Sequence, residues 1–516
     1  MKKEIYISLC LFFALFGFSS CYDDEGNYDY KAMSKAEVTG LEENYSKISY
    51  QDVLHIEPDV KPASAIDEYA YLWTMNKKYT NTYSKIKTDT ICRERILDFP
   101  VNLKKGNYDL ILKVTNIETG YEAYYTSSLE VTSVFATGFY VLKDMGDYTE
   151  LDGHFPDGSI SENLLEKSLD RKIMGKPTSL GVNFVYSYIN SENNEYEKTT
   201  TLNVCAGKEV EILNIQDMSE IHSHRSMFPN DVPEENPIYL AQSMFGISYF
   251  SDKGCYFSYQ APDYDIMGFG CFGYPVETEG EISPNKNIIF DSQYYLFDEK
   301  EGRFLGWDYN GGIHTFMTKP SDKYLPHGIK DKLIYFGRTS IQGGHYNGYA
   351  LFEDAEDTGK HHLYTLTLAT NDYSNPVDTV ITLKPESGLN KATFYANNER
   401  NAQVIYFVNN NELYMYDIKE ESEEKIKPQG LPDDEEITYL SNRYWEQADD
   451  KDNNFNYLVI GTSKNGQYKV YMYNMLGGKP IGESVRTLKG EGKVVKLQYT
   501  SSKMNGGSAN YYPSSF

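Results

Sequence analysis

Two stretches of the chain, Val404–Asp417 (VIYFVNNNELYMYD) and Tyr457–Tyr473 (YLVIGTSKNGQYKVYMY), carry the same pattern. Each has a run of aromatic and β-branched residues, a polar turn with Asn or Gly, and a second such run, which predicts a β-hairpin. Both stretches end in the triplet Tyr-Met-Tyr, at Tyr414–Tyr416 and at Tyr471–Tyr473, so the triplets lie 57 residues apart. This similarity indicates a repeated antiparallel unit.

Short aromatic strands recur throughout residues 135–516. They are predicted at Gly138–Leu142, Ile247–Tyr259, Tyr294–Leu305, Leu333–Phe336, Gly348–Phe352 and His362–Leu366. Tyr364, in the last of these, lies 50 residues before Tyr414. Repeats of about 50 to 57 residues with several strands each predict a β-propeller-like domain of about seven blades over residues 134–516. A pair of β-sandwiches is the alternative architecture.

The region before residue 134 has a different pattern. Asn107–Thr115 (NYDLILKVT) alternates apolar and polar residues, as a half-buried strand does. An earlier predicted strand, Glu68–Met75, carries Trp73, and a hairpin follows Thr115. A central Trp, a later Gly-x-Tyr strand and a closing hairpin predict an immunoglobulin-like β-sandwich over residues 35–133, with Trp73 in its core. The expected fold class is therefore all-β.

A family resemblance rests on two segments of this region. Gly106–Asn116 resembles the G-x-Y strand of PKD domains, and together with Asp24–Tyr30 (DEGNYDY) it resembles the PKD-like family of Bacteroidota lipoproteins. The resemblance covers roughly residues 21–133. It implies a cell-surface accessory role beside outer-membrane nutrient-uptake systems, and it supplies no catalytic residues.

The N-terminus has the features of a lipoprotein export signal. Lys2 and Lys3 precede the apolar run Ile5–Phe18, which is too short to span a bilayer, and Ser19 and Ser20 lead into Cys21. We expect a signal peptide at residues 1–20, lipidation of Cys21 and a polar tether at residues 21–34. The alternative is an ordinary signal peptide with an incidental cysteine. The acidic residues after Cys21 favour display on the outer face of the outer membrane.

Composition limits the possible partners. The net charge of −26 excludes nucleic acid as a partner, because so acidic a surface repels phosphates. The 47 tyrosines and 25 phenylalanines favour strands over helices. Four cysteines of the exported chain can form disulfides or remain free thiols, and the spacing does not decide between these states: Cys92, Cys205, Cys255 and Cys271.

Several motifs that carry chemistry in other proteins lack the necessary context here. Gly268–Gly273 spells GxGxxG without a surrounding βαβ unit. Asp450–Asn456 alternates oxygen ligands but lacks the Gly and Glu of a calcium loop. His222 and His224 would share a strand face without an evident third ligand. We therefore predict no metal site and no cofactor.

Aromatic residues in polar surroundings are the remaining candidates for a ligand site. Trp307 and Tyr309 lie in a Gly/Asn-rich stretch, and Tyr444 and Trp445 lie between Arg443 and Glu446. Exposed rings beside polar groups stack on the C–H faces of sugars. The alternative is that these rings fill the space between blades.

These observations predict a non-catalytic surface protein that binds a glycan or peptide, or serves as an accessory component of an outer-membrane transporter complex. Two alternatives remain: a structural subunit without a small ligand, and a propeller-type hydrolase acting on glycans. No acidic pair marks a catalytic site, so the sequence supplies no catalytic residues.

Overall fold

The computed structural model describes residues 36–502 except 63–67, 79–87, 192–193, 195, 244, 262–265, 279, 292, 309, 342–344, 369–372, 401, 447–450 and 452–453. The chain divides into two compact units, Met1–Val131 and Thr132–Phe516. The predicted signal peptide, Cys21 and the tether lie outside the described residues. In the described part of the chain, every helix is too short or too polar to span a lipid bilayer.

The N-terminal unit is built from strands in three sheets. The strands are β1 (Glu37–Thr39), β2 (Asn44–Ile48), β3 (Val53–Ile56), β4 (Asp59–Lys61), β5 (Tyr69–Lys77), β6 (Thr88–Cys92), β7 (Leu97–Pro100), β8 (Gly106–Asn116) and β9 (Glu122–Thr132). One sheet has the order β2-β9-β8-β5-β6, and two smaller sheets are β1-β4 and β3-β7.

The predicted strand over Asn107–Thr115 is confirmed as β8. Its register on β5 places Trp73 opposite Leu112, and the Trp73 indole N–H donates to the carbonyl of Glu94 across 3.1 Å. Trp73 is 1% exposed, as expected of a core residue. The core combines side chains from the five-stranded sheet and from the β3-β7 pair: Leu54, Ile56, Trp73, Met75, Leu97, Tyr108, Leu110, Leu112, Val114 and Leu129.

The described residues of the C-terminal unit form seven sheets, which we call blades 1 to 7 in chain order. Blade 1 contains β10 (Gly138–Asp144), β11 (Tyr148–His154), β12 (Ile160–Ser161), β13 (Ile173–Met174) and β38 (Lys493–Thr500). Blade 2 contains β14 (Pro177–Ile189), β15 (Tyr196–Ala206), β16 (Glu209–Asn214) and β17 (Glu220–Ser223). Blade 3 contains β18 (Pro237–Ser243), β19 (Gly246–Ser251), β20 (Cys255–Ala261) and β21 (Ile266–Met267).

The remaining blades have the same four-stranded order. Blade 4 contains β22 (Ile289–Asp291), β23 (Gln293–Asp298), β24 (Arg303–Trp307) and β25 (Ile313–Thr315). Blade 5 contains β26 (Lys332–Ile341), β27 (His345–Glu353), β28 (His361–Leu368) and β29 (Val377–Thr382). Blade 6 contains β30 (Phe394–Asn397), β31 (Val404–Asn409), β32 (Glu412–Asp417) and β33 (Ser422–Ile426). Blade 7 contains β34 (Glu436–Trp445), β35 (Phe455–Lys464), β36 (Gln467–Leu476) and β37 (Lys479–Glu491).

The blades form a closed ring around one axis. In blades 2 to 7 the first strand lies innermost, whereas in blade 1 the C-terminal strand β38 takes this place beside β10. Strand β38 contacts β14 on one side and β34 on the other, so the last and first blades meet. The predicted propeller of about seven blades is confirmed, and the alternative of two sandwiches is wrong.

The sequence repeat corresponds to one position in the blade. Tyr364 lies on β28, Tyr414–Tyr416 on β32 and Tyr471–Tyr473 on β36, each the third strand of its blade. The third strand packs between the second and fourth strands of its own sheet, where aromatic side chains fill the space toward the neighbouring blades. The repeat therefore reflects equivalent packing around the ring.

Helical structure among the described residues is short. The α-helix α1 (Leu164–Leu169) lies between β12 and β13, and single 3₁₀ turns occupy Val134–Ala136 and Gly388–Lys391. Leu164 and Leu165 of α1 are buried against blade 1. The low helical content agrees with the absence of sustained helical periodicity.

Turn residues explain two of the hairpins. Asn465 and Gly466, with φ of 54° and 77°, join β35 to β36, and Asn410 and Asn411, with φ of 53° and 63°, join β31 to β32. Two successive positive φ angles match the right-handed twist of the flanking strands, and Asn and Gly adopt them at the least steric cost.

Candidate functional site

The antiparallel order of each blade places its loops on two opposite faces of the propeller. Loops from the first to the second strand and from the third to the fourth open on the face at which the innermost strands end. We call this the carboxyl face. Polar side chains of the innermost strands near this face form the candidate site.

Polar side chains connect neighbouring innermost strands at the axis. The Tyr335 hydroxyl donates to Asn397 Oδ1 across 2.8 Å, which joins blade 5 to blade 6. The backbone N–H of Glu399 donates to Asn442 Oδ1 across 2.7 Å, which joins blade 6 to blade 7. Arg443 Nη2 then donates to the carbonyl of Leu497 across 2.9 Å, which joins blade 7 to β38. The axis is therefore lined by hydrogen-bonding groups rather than by an apolar core.

A cluster of positive charge lies at this level of the axis. The bond from Arg443 to Leu497 places the guanidinium beside Lys496, the preceding residue of β38. Lys496 is partly buried, and burial together with repulsion from Arg443 and Lys286 lowers its pKa from 10.5 to about 7. We call Lys286, Arg443 and Lys496 the axial cations.

Lys286 belongs to blade 4, just before β22, and it is exposed. Just before β22, the backbone N–H of Asn285 donates to the carbonyl of Phe297 across 2.8 Å, and that of Glu299 donates to Ser283 across 2.9 Å. These bonds extend the pairing between the innermost and second strands of the blade. Lys286 is thereby held on an inner segment of the ring.

A carboxylate lies beside Arg443. Glu399 Oε1 lies 4.0 Å from Arg443 Nη1, and both side chains are buried. Across the described residues, no carboxylate oxygen comes within 4.0 Å of the ammonium of Lys496 or Lys286. Glu399 and Arg443 thus bring opposite charges together in blades 6 and 7, in a chain whose net charge is −26.

Polar groups without a protein partner lie on the same strands. Both side-chain atoms of the Asn183 amide, on β14, are buried without a hydrogen bond to any described residue, as are the hydroxyls of Ser441 on β34 and Thr500 on β38. Asn183 is 0% exposed. Buried polar groups are normally hydrogen-bonded, so these groups are suited to bind water or a polar ligand.

The two candidate tryptophans are not exposed. Trp307, on β24, is 0% exposed, and its indole N–H donates to Ser248 Oγ of blade 3 across 2.7 Å. Trp445, on β34, is 2% exposed and packs against Tyr499 of β38 at 6.0 Å between ring centroids. The expectation that these rings form an exposed platform is wrong, because each fills the space between two adjacent blades. Tyr309 lies outside the described residues.

Tyr444 is the remaining aromatic candidate, and it lies near the carboxyl face. Its side chain is partly buried, and the Arg400 guanidinium lies over the ring at 4.9 Å from the centroid. Arg400 Nη2 also contacts Glu446 Oε2 at 3.1 Å, and the Tyr444 hydroxyl donates to the same carboxylate. One face of the ring is therefore already occupied by a protein cation.

A second polar cluster on the carboxyl face follows Trp307. His314 Nε2 lies 2.7 Å from Asp308 Oδ2, and Tyr373 stacks on the His314 ring at 4.0 Å. Burial raises the pKa of Asp308, but hydrogen bonds from His314 and from the backbone N–H groups of Gly312 and Asn310 outweigh it and lower that pKa. The stretch that contains Trp307 thus exposes a histidine and a carboxylate rather than the indole.

The histidine pair on blade 2 is engaged in local contacts. His222 Nε2 donates to the carbonyl of Phe269 across 3.2 Å, and burial lowers the pKa of both His222 and His224. In the part of the chain that the structure describes, no three His, Cys, Asp or Glu side chains are grouped to hold a metal ion. Each of the four cysteines left open by the sequence is a free thiol.

The sequence did not single out the axial cations. Arg443 follows Ser441 and Asn442 on β34, in SNRYW, and Lys496 is the second lysine of β38, in KVVKLQYT. A charged residue within an innermost strand is the signal that marks these positions. Reading that signal requires knowing which strand of each blade lies innermost, and the sequence alone does not show this. The sequence therefore predicted aromatic residues of the same blades and missed the charges.

Several solved structures resemble this chain at low sequence identity, whereas none of the curated proteins matches it significantly. A quinonprotein alcohol dehydrogenase-like protein from Bacteroides thetaiotaomicron VPI-5482 is 12% identical, with 91% of this chain and 100% of that chain covered and a TM-score of 0.37. The WD40 domain of SCAP from fission yeast is 8% identical, with 63% and 76% covered and a TM-score of 0.31. Likeness at this level carries no inference about ligand or activity.

The family comparison concerns the N-terminal part of the chain. The model of the PKD-like family matches residues 21–178, from the predicted lipidation site through the sandwich to the start of blade 2. This match extends beyond the segment that carries the sequence resemblance, roughly residues 21–133. The matched stretch thus includes the N-terminal unit and also strands β10 to β13 of blade 1.

Proposed function

We propose that this protein is an outer-membrane lipoprotein, anchored through lipidated Cys21 and facing the cell exterior. In this proposal the propeller is a non-catalytic binding component of a nutrient-uptake system that takes up glycans or peptides. The observation that carries the proposal is the polar character of the innermost strands, where Asn183, Ser441 and Thr500 have buried polar atoms with no hydrogen bond to any described residue.

The energetics of the axis support a binding role. Burying a charge or a polar group without a partner costs several kcal/mol, so a protein selected only for stability would fill the axis with apolar side chains. Binding sites commonly retain such unfavourable groups because the ligand supplies the missing partners. The innermost strands of this propeller carry such polar groups.

The start of the family match supports the anchor. The PKD-like model begins to match at Cys21, the residue at which the signal peptide is predicted to end. In a Bacteroidota host, we expect radiolabelled fatty acid to be incorporated into the wild-type chain and not into Cys21→Ala. Protease added to intact cells should degrade the wild-type chain, and its survival would contradict outward display.

A binding panel tests the propeller. Isothermal calorimetry of the mature chain carrying Cys21→Ser, against host and dietary glycans and short peptides, should give at least one saturable ligand. If no glycan or peptide on the panel binds, the binding role is contradicted and a subunit that contacts only proteins is favoured. Turnover of any bound glycan would instead favour the hydrolase alternative.

A further inference from the structure

A cavity of about 250 Å³ lies between the outer strands of blades 5 and 6. One wall comes from the end of β29 and the segment after it, residues 382–387, and the other from residues 421–423 at the start of β33. Tyr416, on β32, also lines the cavity. Small-molecule sites usually have volumes of about 300–1,000 Å³, so this cavity suits a ligand of about the size of a dipeptide.

The wall from blade 5 is fixed to blade 6 by a carboxylate. Glu423 Oε2 accepts from the backbone N–H of Gly388 across 2.9 Å. Its Oε1 accepts from the backbone N–H of Leu389 across 3.3 Å and from the Ser387 hydroxyl. The carbonyl of Lys384 accepts from the backbone N–H of Ser387 across 2.9 Å, which closes a turn. The two walls are thus connected, and Glu423 already has its hydrogen-bond donors.

The hydroxyl of Tyr416 is available to a ligand in this cavity. Tyr416 is 4% exposed, and its hydroxyl forms no hydrogen bond with a residue that the structure describes. Burial, followed by the charges of Glu421, Glu423 and Asp417, raises the pKa of Tyr416 to about 12, so the hydroxyl stays protonated at neutral pH. Buried hydroxyls are normally hydrogen-bonded, and a ligand in the cavity would supply the missing partner.

Unpaired charges of both signs line the same cavity. Glu421 and Glu386 form no ion pair with a described residue, and neither does Lys384. Across the residues that the structure describes, no three His, Cys, Asp or Glu side chains are grouped to hold a metal ion. Separate charges of opposite sign on the walls of one small cavity are therefore suited to an organic ligand that itself carries both charges.

We propose that this cavity binds a zwitterionic peptide of about dipeptide size, with its ammonium group on Glu421 and the Tyr416 hydroxyl and its carboxylate on Lys384. An ammonium group only donates hydrogen bonds and a carboxylate only accepts them, which matches these partners. An amino sugar would supply the ammonium group but no counter-charge for Lys384. This inference goes beyond the proposed function, whose evidence lies on the innermost strands, because it assigns a separate site to the outer strands.

The test uses the full mature chain with Cys21→Ser, and alanyl-alanine is the probe. Calorimetry should show saturable binding of alanyl-alanine. Its N-acetyl derivative lacks the ammonium group and its amide lacks the carboxylate, so each should bind about tenfold more weakly or less. Glucosamine, which has an ammonium group and no carboxylate, should bind as weakly as the amide. Equal binding of the dipeptide and its two derivatives would overturn the inference.

Three variants test the assigned side chains. Tyr416→Phe keeps the ring and removes a hydroxyl without a protein partner, so it should weaken binding by about tenfold and leave thermal unfolding unchanged. Glu421→Asn removes the carboxylate at a residue whose φ is 45°, a conformation that Asn adopts at less cost than Glu. It should therefore fold at least as stably as the unsubstituted chain and bind about tenfold more weakly or less. Lys384→Met should weaken binding to a similar extent.

Two matched controls lie close to these residues in the sequence. Glu420, beside Glu421, and Lys391, in the 3₁₀ turn after the blade 5 wall, are exposed and do not line the cavity. Glu420→Gln and Lys391→Met should bind alanyl-alanine like the unsubstituted chain. A loss of affinity in Glu420→Gln equal to that in Glu421→Asn would overturn the assignment of the site.

The outcomes separate this inference from the proposed function. Unchanged affinity for alanyl-alanine in both Tyr416→Phe and Glu421→Asn overturns the inference, and so does a failure of the dipeptide to bind. In either case the proposed function stands if a glycan or a longer peptide of the binding panel is bound. If no glycan and no peptide binds, the inference and the proposed function both fail.

Discussion

The hydroxyl of Tyr468, in blade 7, donates a hydrogen bond to Asp152 Oδ2, in blade 1, across 2.8 Å. The same hydroxyl accepts from His154 Nε2 at 2.9 Å, and the other Asp152 oxygen pairs with Lys143 at 2.8 Å. Lys143 and Asp152 are 1% and 0% exposed. Burial lowers the pKa of His154 to about 4, so the neutral imidazole serves as a donor at this seam. A buried polar network thus joins the last blade to the first.

Tyr468→Phe removes the bond across this seam. Because the bond is buried and its acceptor is charged, we expect a loss of about 1.5–3 kcal/mol of unfolding free energy in urea denaturation. Tyr414→Phe is the control, since Tyr414 occupies the third strand of blade 6 and donates to Glu412 at 2.8 Å near the surface. Its loss should stay below about 1 kcal/mol. Equal losses would contradict the role of the seam.

Asp152→Ala should be more damaging than Tyr468→Phe. It leaves the Lys143 ammonium buried without its carboxylate partner, at an expected cost of about 3–5 kcal/mol. The double variant Asp152→Ala/Lys143→Met should recover part of that loss, because it removes the unpaired charge. Denaturation of both variants checks this, and an equally unstable double variant would refute it.

Lys496→Met should stabilise the propeller in a pH-dependent way. The pKa of Lys496 falls from 10.5 to about 7 on folding, so the unfolded chain binds more protons between these values. The penalty is full below about pH 7 and fades as the pH rises toward 10.5. The variant should therefore melt above the wild-type chain at pH 6, by about 1–3 °C, and near it at pH 10. Thermal scans at both pH values measure the difference.

Trp307 should matter for folding rather than for direct ligand contact. Trp307→Ala removes a fully buried indole between blades 3 and 4 and should cost about 3–5 kcal/mol. Ser248→Ala leaves the indole N–H without its acceptor, and should cost about 1–3 kcal/mol. Ser248→Ala should keep ligand affinity unchanged in calorimetry. A stable Trp307→Ala protein that had lost binding alone would contradict this purely structural role.

Gly466→Ala tests the hairpin turn of blade 7. A Cβ at this position meets no neighbouring atom within 4 Å, so any loss comes from the backbone φ of 77°. We expect a loss of about 1 kcal/mol in urea denaturation. Gly273→Ala, which is also open to solvent but lacks a positive φ, is the control and should be nearly neutral.

Much of the architecture follows from local pattern. The Tyr-Met-Tyr triplets and the Asn and Gly turns predicted hairpins with the correct spacing, because turn chemistry and alternation act over a few residues. Likewise, Trp73 and the strand at Asn107–Thr115 predicted the sandwich core. Hairpins within a blade and the approximate blade count can therefore be predicted from patterns no longer than one repeat.

The site could not be predicted in the same way. Trp307 lies in a Gly/Asn-rich segment that favours exposure, yet the pleat of β24 turns the ring toward blade 3 and Asp308 takes the outward position. Arg443 and Lys496 are 53 residues apart in the sequence, and they meet only because β38 closes the ring. Burial and charge clustering of this kind depend on which blade stands beside which.

Because β38 completes blade 1, the ring of blades can close only late in the synthesis of the chain. Blade 1 lacks its innermost strand until residues 493–500 have been synthesised and exported. The ring and the seam between blades 7 and 1 can consequently form only after strand β38 has been synthesised. A nascent or truncated chain that lacks residues 493–500 leaves one edge of β10 unpaired, and such an edge can pair with strands of other chains until β38 is in place.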